Sequence, residues 1–244
     1  MPISQVFCLD CLDYMRSIPD KYFDLAVVDP PYGINAPAMD MGSSKGNTST
    51  ATKLRKGRLN GGAGKLKNRV LNTMSCDWDY NPPGEDYFRE LFRVSKNQII
   101  WGGNYFPLPP TRGIICWDKM QPWENFSQVE LAWTSFDCPA KLVRISTTGG
   151  NNREEKIHPT QKPVALYQWI FKKFAGGGGT QVLDTHLGSQ SSRIAAYYAG
   201  LDFYGCEIDP GYFKSGCARF DKECRGIENI NGHEIQQLNL FDAP

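Results

Sequence analysis

The chain lacks long apolar runs and a strong charge of either sign, and both absences exclude whole classes of protein. No run of about 18 apolar residues occurs, so we predict no membrane span. Lys and Arg total 27 against 26 Asp and Glu, so any affinity for phosphate must come from local clustering. The N-terminus, MPISQVFCLDCLDYM, lacks the basic and apolar segments of a signal peptide. We therefore expect a cytoplasmic protein.

The chain also lacks a second close pair of metal ligands, although it has 8 cysteines. Cys8 and Cys11 form one CxxC motif, whereas a structural zinc site needs about four ligands. Other cysteines lie in apolar runs such as IICW and YGCEI. We interpret them as buried thiols of a reducing compartment and predict no metal site.

Near-continuous apolar strands alternate with helical segments along most of the chain. The segments LAVVD, QVLD and DFYGCEI are typical of strands, while VALYQWIFKKF and SQSSRIAAYYAG are typical of helices. This pattern predicts an α/β fold, with a mostly parallel, twisted, Rossmann-like sheet and helices on both faces. The length of 244 residues and 41% hydrophobic content suit a single domain over residues 1–244.

The motif Asp29-Pro30-Pro31-Tyr32 follows a predicted strand directly. Ligands of doubly wound sheets bind at such strand ends. The prolines remove backbone N–H donors and leave carbonyls beside one carboxylate, while Tyr32 offers a flat ring for stacking. This acceptor surface suits the exocyclic amino group of a nucleobase. The plainer interpretation is a strand that ends in a rigid turn.

A second strand end carries VLDTHLGSQSSRIAAYYAG, with Asp184 before a turn that contains Gly188. Glycine permits close backbone approach, and the following helix begins near the ligand position. Glu207 ends the next predicted strand, where dinucleotide folds bind ribose hydroxyls. The carboxylate of Asp184 disfavours a pyrophosphate and suits a cationic amine or sulfonium.

These motifs together resemble the β-type amino-methyltransferases, which methylate adenine N6 or cytosine N4 in DNA. Asp29-Pro30-Pro31-Tyr32 matches the catalytic motif of that family, and Leu9-Asp10-Cys11-Leu12 matches the segment before it. WGGNYF, CWDK and ELAWTS resemble its middle strands, and HPTQKP resembles its motif before the next helix. The catalytic motif precedes the glycine turn, which is the permuted β order.

The resemblance implies the fold of the S-adenosylmethionine-dependent methyltransferases and that cofactor. It implies that Asp10 contacts the cofactor adenine. The full set of implied cofactor-binding residues is Asp10, Asp29, Lys162, Asp184, His186, Gly188, Ser189, Glu207 and Ile208. The implied catalytic residues are Asp29, Pro30, Pro31 and Tyr32.

The glycine turn departs from the family pattern Asp-Pro-Phe-x-Gly-Ser-Gly. His186 replaces an aromatic wall, and Gln190 replaces the second glycine. Gln190 either crowds the methionine part of the cofactor or points away from it. We expect His186 to form a wall of the cofactor site, with a role as general base the alternative.

The resemblance implies methyl transfer to adenine N6 of a base flipped out of double-stranded DNA. Cytosine N4 is the alternative, although that branch more often has Ser in place of Asp29. RNA and protein-glutamine methyltransferases usually have Asn first and place the motif after the cofactor turn. A DNA-binding relative with weak or no activity stays open because of Gln190.

Residues 36–76 form a predicted flexible basic insertion, without acidic residues from Met41 to Cys76. We expect it to contact DNA phosphates, with a solvated surface insertion as the alternative. Its basic residues are Lys45, Lys53, Arg55, Lys56, Arg58, Lys65, Lys67 and Arg69. Residues 120–157 are the candidate target-recognition region, including Trp123, Asn125 and the segment 141–156.

The tail, residues 235–244, contains the pentapeptide Gln237-Leu238-Asn239-Leu240-Phe241. It is similar to the peptide with which bacterial proteins bind the sliding clamp, an extended peptide with spaced apolar anchors. Packing of Leu238, Leu240 and Phe241 onto the domain is the plainer interpretation. The sequence is compatible with a monomer or a dimer.

Overall fold

The computed structural model describes residues 2–34, 82–121, 127–146, 154, 156–230 and 233–236. The predicted DNA-binding residues of the basic insertion lie outside this part of the chain. Trp123, Asn125 and the clamp-like pentapeptide of the tail also lie outside it.

Ten strands and five α-helices make up the described part of the chain. The strands are β1 Ser4–Cys8, β2 Phe23–Val28, β3 Ser95–Trp101, β4 Ile114–Asp118, β5 Val129–Thr134, β6 Lys141–Arg144, β7 Gln181–Asp184, β8 Asp202–Glu207, β9 Ile227–Ile230 and β10 His233–Gln236. The helices are α1 Cys11–Arg16, α2 Glu85–Val94, α3 Val164–Phe174, α4 Ser191–Ala199 and α5 Pro210–Phe220. A 3₁₀ turn spans Gly103–Tyr105, and a π-helical turn spans Asp221–Arg225.

The main sheet has 8 strands in the order β1-β8-β7-β2-β3-β5-β4-β6. Within this described sheet only β5 runs antiparallel to its neighbours β3 and β4, and β9 and β10 form a separate antiparallel hairpin. The predicted α/β class and mostly parallel twisted sheet are therefore confirmed. No helix in the described residues is long and apolar enough to cross a membrane.

Helices cover both faces of the sheet, as the apolar strands require. One buried cluster joins α3 and α4 to the sheet through residues such as Ile170 and Ile194. The other joins α1 and α2 to the opposite face through Met15 and Leu91. Strand β2 is almost fully buried because its side chains alternate between these two clusters.

The topology brings the acids at the strand ends to one edge. Strands β1, β8, β7 and β2 are adjacent and parallel, so their carboxyl ends lie together. Glu207 ends β8 and Asp184 ends β7, while Asp29 directly follows β2 and Asp10 lies shortly after β1. Neighbouring strands lie about 4.8 Å apart, which makes this a short row of acidic positions.

Candidate active site

Asp29 lies at the end of β2, where the strand passes into the two prolines. Its side chain is 16% exposed, so the carboxylate is accessible at the edge of the sheet. Tyr32 donates a hydrogen bond from its hydroxyl to Asp29 Oδ1 at 2.6 Å. Lys162 donates from Nζ to Asp29 Oδ2 at 2.5 Å. Both carboxylate oxygens are thus fixed in orientation, and each keeps further acceptor capacity.

Lys162 connects Asp29 to a second carboxylate, that of Glu130. The Lys162 side chain is 4% exposed, and its Nζ also lies 3.1 Å from Glu130 Oε2 on β5. That second contact is an ion pair between the ammonium and a carboxylate oxygen. Lys119, which follows β4, pairs with the other oxygen of Glu130. The four side chains form a chain of alternating charge that begins at Asp29.

The ionisation of Glu130 and Lys162 follows from their burial and from the opposite charges beside them. Burial raises the pKa of Glu130, but Lys162 and Lys119 overcome that effect and lower it to about 2. Burial lowers the pKa of Lys162, but Asp29 and Glu130 reverse that effect and raise it above its ordinary value. Glu130 and Lys162 are therefore both charged near neutral pH.

An aromatic group covers the Tyr32 ring. Tyr105 stacks on Tyr32 with ring centroids 5.0 Å apart and an interplanar angle of 16°. Phe106 meets Tyr32 at 67° with its centroid 6.1 Å away. Gly102 adopts φ +67°, and a Cβ there would lie 2.2 Å from the Tyr32 ring, so only glycine permits this approach. Tyr105 is 49% exposed and can move.

Asp184 is buried at the end of β7 and is held by hydrogen bonds. The Ser192 hydroxyl donates to Oδ2 at 2.5 Å, and the His186 backbone N–H donates to Oδ1 at 3.0 Å. Burial raises the pKa of Asp184 to about 7, although these two hydrogen bonds oppose the rise. The nearby charges of Asp29 and Glu207 add to the rise. A cation beside Asp184 would stabilise the ionised form of this carboxyl group.

His186 belongs to a group of polar side chains between the turn and α2. Its Nδ1 lies 2.9 Å from the Thr185 hydroxyl, which lies 2.6 Å from the Tyr87 hydroxyl. The rings of Tyr87 and His186 meet at 66° with centroids 5.5 Å apart. Burial lowers the pKa of His186 to about 4. A neutral imidazole packed against a tyrosine favours the wall role over that of a general base.

Glu207, at the end of β8, accepts hydrogen bonds only from backbone N–H groups among the described residues. Gly188 donates to Oε2 at 2.8 Å and Asp209 donates to Oε1 at 2.9 Å. Burial raises the pKa of Glu207 above its ordinary value. Asp10, at the neighbouring end of β1, caps α1 by accepting from the Leu12 N–H at 2.7 Å. The remaining lone pairs of both carboxylates suit hydroxyl or amino donors.

The two other cofactor candidates near this turn differ in exposure. Ile208 follows Glu207 and is 61% exposed at the edge of the sheet, where it can cover a ligand. Ser189 is buried, and its hydroxyl lies 3.1 Å from that of Ser191. Ile208 therefore lies at the surface of the candidate site, whereas Ser189 lies in the packed start of α4.

Gln190 points away from the turn and into the packing between α4 and α5. It is 0% exposed and adopts φ +60°, the left-handed region that glycine occupies without strain. Its amide Nε2 donates to the Phe213 carbonyl at 3.3 Å, and its Oε1 accepts from Arg193 at 2.9 Å. A Cβ on Gly216 would lie 2.7 Å from the Gln190 side chain. The substituted position thus keeps the backbone conformation of a glycine and uses the side chain for helix packing.

Sequence reasoning identified Asp29, Tyr32, Asp184 and Glu207, but it missed Glu130, Lys119 and Tyr105 as part of the site. Glu130 lies on β5 and Lys119 directly follows β4, and both strands lie beyond β3 in the sheet when counted from β2, the strand before Asp29. Lys162, a predicted cofactor residue, donates a hydrogen bond from its ammonium group to Asp29, so the structure places it beside the predicted catalytic motif. Of the candidate recognition segment, Lys141–Arg144 forms the edge strand β6, in which Leu142 is 56% exposed.

Comparison with known proteins agrees with the motifs and the fold. Residues 100–217 match the family model of the N6/N4 methylases, described as DNA methylase. The predicted resemblance to the DNA amino-methyltransferases is therefore confirmed. The Asp29 motif precedes the matched range, so its assignment depends on the geometry above. The type II methyltransferase M.HpaI of Haemophilus parainfluenzae is 29% identical over 93 residues. That match covers 38% of this chain and 29% of the relative.

Solved structures share the fold at low sequence identity. A DNA modification methylase from Thermus thermophilus, TTHA0409, superposes with a TM-score of 0.51 at 16% identity. The superposition covers 97% of this chain and 100% of that one. The cytosine-N4-specific PvuII DNA methyltransferase superposes with a TM-score of 0.53 at 13% identity, over 88% of this chain and 86% of that one. These likenesses confirm the methyltransferase fold.

Proposed function

We propose that the protein transfers a methyl group from S-adenosylmethionine to the exocyclic amino group of a base in DNA, with adenine N6 as the target. One observation carries the proposal. Asp29 is partly exposed at the end of β2, next to the end of β7 that bears Asp184, with Glu207 one strand further. An acceptor for an amino group and a cluster of acids suited to a cation therefore share one edge of the sheet.

The cofactor side of this edge fits S-adenosylmethionine by its charge and its donors. The carboxylates of Asp184 and Glu207 are stabilised by hydrogen bonds from hydroxyl and N–H groups and by no ion pair among the described residues. A cationic ligand would therefore gain electrostatic energy here, whereas a pyrophosphate would be repelled. Structures of related proteins complexed with S-adenosylmethionine have the same fold, which supports this choice. When bound, the cofactor supplies an electrophilic methyl group on a sulfonium.

The acceptor side is suited to orient a weakly nucleophilic amine. The lone pair of an exocyclic amino group is delocalised into the ring, so the nitrogen must be aligned before it attacks. The Asp29 carboxylate and the Pro30 carbonyl accept its two hydrogens, which localises the lone pair and directs it at the methyl carbon. The nitrogen would form the new N–C bond as the methyl–sulfur bond breaks and its electron pair passes to the sulfur, and Asp29 would accept the proton that the nitrogen loses and pass it to water.

DNA would present the base outside the duplex, because Asp29 follows a buried strand and its side chain is only 16% exposed. The flipped base would stack on the Tyr32 ring at the face that Tyr105 now covers, so Tyr105 would move aside. The basic insertion, residues 36–76, would contact phosphates, and residues 120–157 would contribute to recognition. Binding to a sliding clamp through Gln237–Phe241 remains a secondary prediction.

Nucleoside analysis of DNA tests the proposal directly. DNA incubated with the protein and S-adenosylmethionine is digested to nucleosides, and N6-methyladenine and N4-methylcytosine are quantified. We expect N6-methyladenine from the wild type and a loss of at least about 1,000-fold in Asp29→Ala, since the carboxylate aligns the nucleophile. N4-methylcytosine would identify the alternative substrate.

Asp86→Asn is the matched control, because Asp86 is an exposed aspartate whose ion pair with Arg89 lies on the outer surface of α2. It should keep the activity of the wild type. Both variants should have the circular dichroism spectrum of the wild type. Near-normal methylation by a folded Asp29→Ala protein would overturn the assignment of the catalytic carboxylate.

A further inference from the structure

The predicted catalytic motif, Asp29 to Tyr32, is connected to two lysines and a glutamate from other parts of the chain. Asp29, Lys162, Glu130 and Lys119 are in contact in that order, and their charges alternate from negative to positive. Lys162 is separated from Asp29 by 133 positions in the sequence, and its side chain is 4% exposed. A buried lysine costs free energy unless its charge is compensated, so this arrangement requires a physical reason.

We propose that Lys162, Glu130 and Lys119 are positioning residues for methyl transfer, which orient Asp29 and hold it as the negative end of one neutral network of charges. This inference rests on the proposed function, because it assigns these three residues a role in the same reaction. Lys162 fixes the carboxylate through a direct hydrogen bond. Glu130 compensates part of the positive charge of Lys162, and Lys119 compensates the negative charge of Glu130.

Glu130 decides how strongly Lys162 neutralises the catalytic carboxylate. With Asp29 as its one anionic partner, the ammonium would cancel most of the negative potential that an amino group meets at Asp29. Glu130 lies 3.1 Å from the same ammonium and counterbalances that effect. Lys162 keeps its 2.5 Å hydrogen bond to Asp29 while it contacts Glu130, so the charge of Glu130 acts on an ammonium that is already held at Asp29.

Lys119 keeps Glu130 ionised. Two aromatic rings, those of Trp101 and Tyr32, help to hold the Lys162 ammonium in place. A buried carboxylate with no cation would take up a proton, which would end its effect on Lys162. The Trp101 ring lies beneath the Lys162 ammonium with the centroid 5.2 Å from Nζ, and the Tyr32 ring lies 5.8 Å away. Both contacts are within the range of cation–π attraction. The ammonium is thus held between two carboxylates and two aromatic rings.

Thermal unfolding tests the network independently of activity. We expect Lys162→Met to lower the melting temperature by about 10 °C, since it leaves two carboxylates without their shared cation. Adding Asp29→Asn or Glu130→Gln to Lys162→Met should cost less than the sum of the single effects. Lys96→Met is the control, because Lys96 pairs with Asp24 at 2.7 Å on the surface and is 54% exposed. It should change the melting temperature by about 3 °C or less.

Single-turnover methyl transfer tests the role in catalysis. Glu130→Gln should lower the rate about 10-fold and Lys119→Met about 3-fold, because each weakens the alignment of the amine. Affinities for DNA and for S-adenosylmethionine should stay within about 2-fold of the wild type, since the Glu130 carboxylate and the Lys119 ammonium contact each other and Glu130 contacts Lys162. An unchanged rate in a destabilised Glu130→Gln protein would reduce the network to a structural role and overturn the proposal.

The two measurements separate this inference from the proposed function. Additive melting-temperature losses in both double variants would show that the charges are not coupled, whatever the activity. A wild-type protein that does not methylate DNA but shows the coupling would contradict the proposed function and leave the network established. Coupling together with the selective loss of rate in Glu130→Gln supports both.

Discussion

Two groups of carboxylates share one edge of the sheet, and the protein stabilises them in opposite ways. On the acceptor side, Asp29 and Glu130 are paired with Lys162 and Lys119. On the cofactor side, Asp184 is held by a hydroxyl and a backbone N–H, without an ion pair among the described residues. The pKa of Glu130 is lowered to about 2 by its lysines, whereas burial raises that of Asp184 to about 7.

This difference indicates which kind of ligand each side accepts. A carboxylate already paired with an ammonium gains little from a second cation, but it can still accept hydrogens from a neutral amine. A buried carboxylate without a cation gains most when the ligand brings one. Under the proposed function, we therefore expect the neutral nucleobase at Asp29 and the cationic cofactor at Asp184.

The largest effect on this contrast should come from Asp184→Asn, which keeps the shape of the side chain and removes its charge. We expect affinity for S-adenosylmethionine to fall about 100-fold, because a buried charge pair is lost. Affinity for S-adenosylhomocysteine, whose sulfur is neutral, should fall by only about 10-fold. Isothermal titration calorimetry measures both ligands.

Equal losses for the two ligands would show that Asp184 does not respond to the sulfonium charge. The exposed Asp86→Asn variant controls for nonspecific effects of a lost negative charge. It should leave both affinities unchanged, because its carboxylate lies in a surface ion pair on α2.

How much of this site the sequence predicts depends on how far apart the contacting residues lie along the sequence. The strand-end acids Asp29, Asp184 and Glu207 were predictable, because an apolar run that ends in an acid is a local signal. The pairing of Lys162 with Asp29 joins residues 133 positions apart. Glu130 reaches the same lysine through the order of the strands, which no local pattern specifies.

The conformation of Gln190 was unpredictable for a related reason. The sequence left open whether the Gln190 side chain points toward the cofactor or away from it. The outcome depends on the room that Gly216 of α5 leaves for this side chain. The backbone at Gln190 nevertheless agrees with the family pattern, since a glycine position often requires positive φ. Tyr105 was missed because its stacking on Tyr32 depends on the left-handed turn at Gly102.

A second test uses the opposite pKa shifts of the two groups. The raised pKa of Asp184 means that its contribution to stability is present below its unfolded pKa and is lost as pH rises towards about 7. Between pH 5 and pH 8, the melting temperature of Asp184→Asn without cofactor should therefore rise by about 5 °C relative to the wild type.

Glu130→Gln should behave differently over the same range of pH. The pKa of Glu130 is lowered, so its contribution is present above the unfolded pKa and is lost only as pH falls through about 2. Its destabilisation relative to the wild type should be the same at pH 5 and pH 8, and differential scanning calorimetry measures it. A parallel pH response of both variants would contradict the contrast between the two groups.

The smallest effect should come from Gln190→Gly, although position 190 lies next to the cofactor side. The side chain packs against Gly216 and hydrogen-bonds Arg193, so its removal should leave affinity for S-adenosylmethionine within about 3-fold. The melting temperature should fall by about 4 °C, because lost buried hydrogen bonds outweigh the relief of the positive φ. Gln190→Ala, which keeps the strain and loses the same hydrogen bonds, should be less stable than the glycine variant. A tenfold gain in cofactor affinity for Gln190→Gly, measured by calorimetry, would instead show that glutamine obstructs the cofactor side.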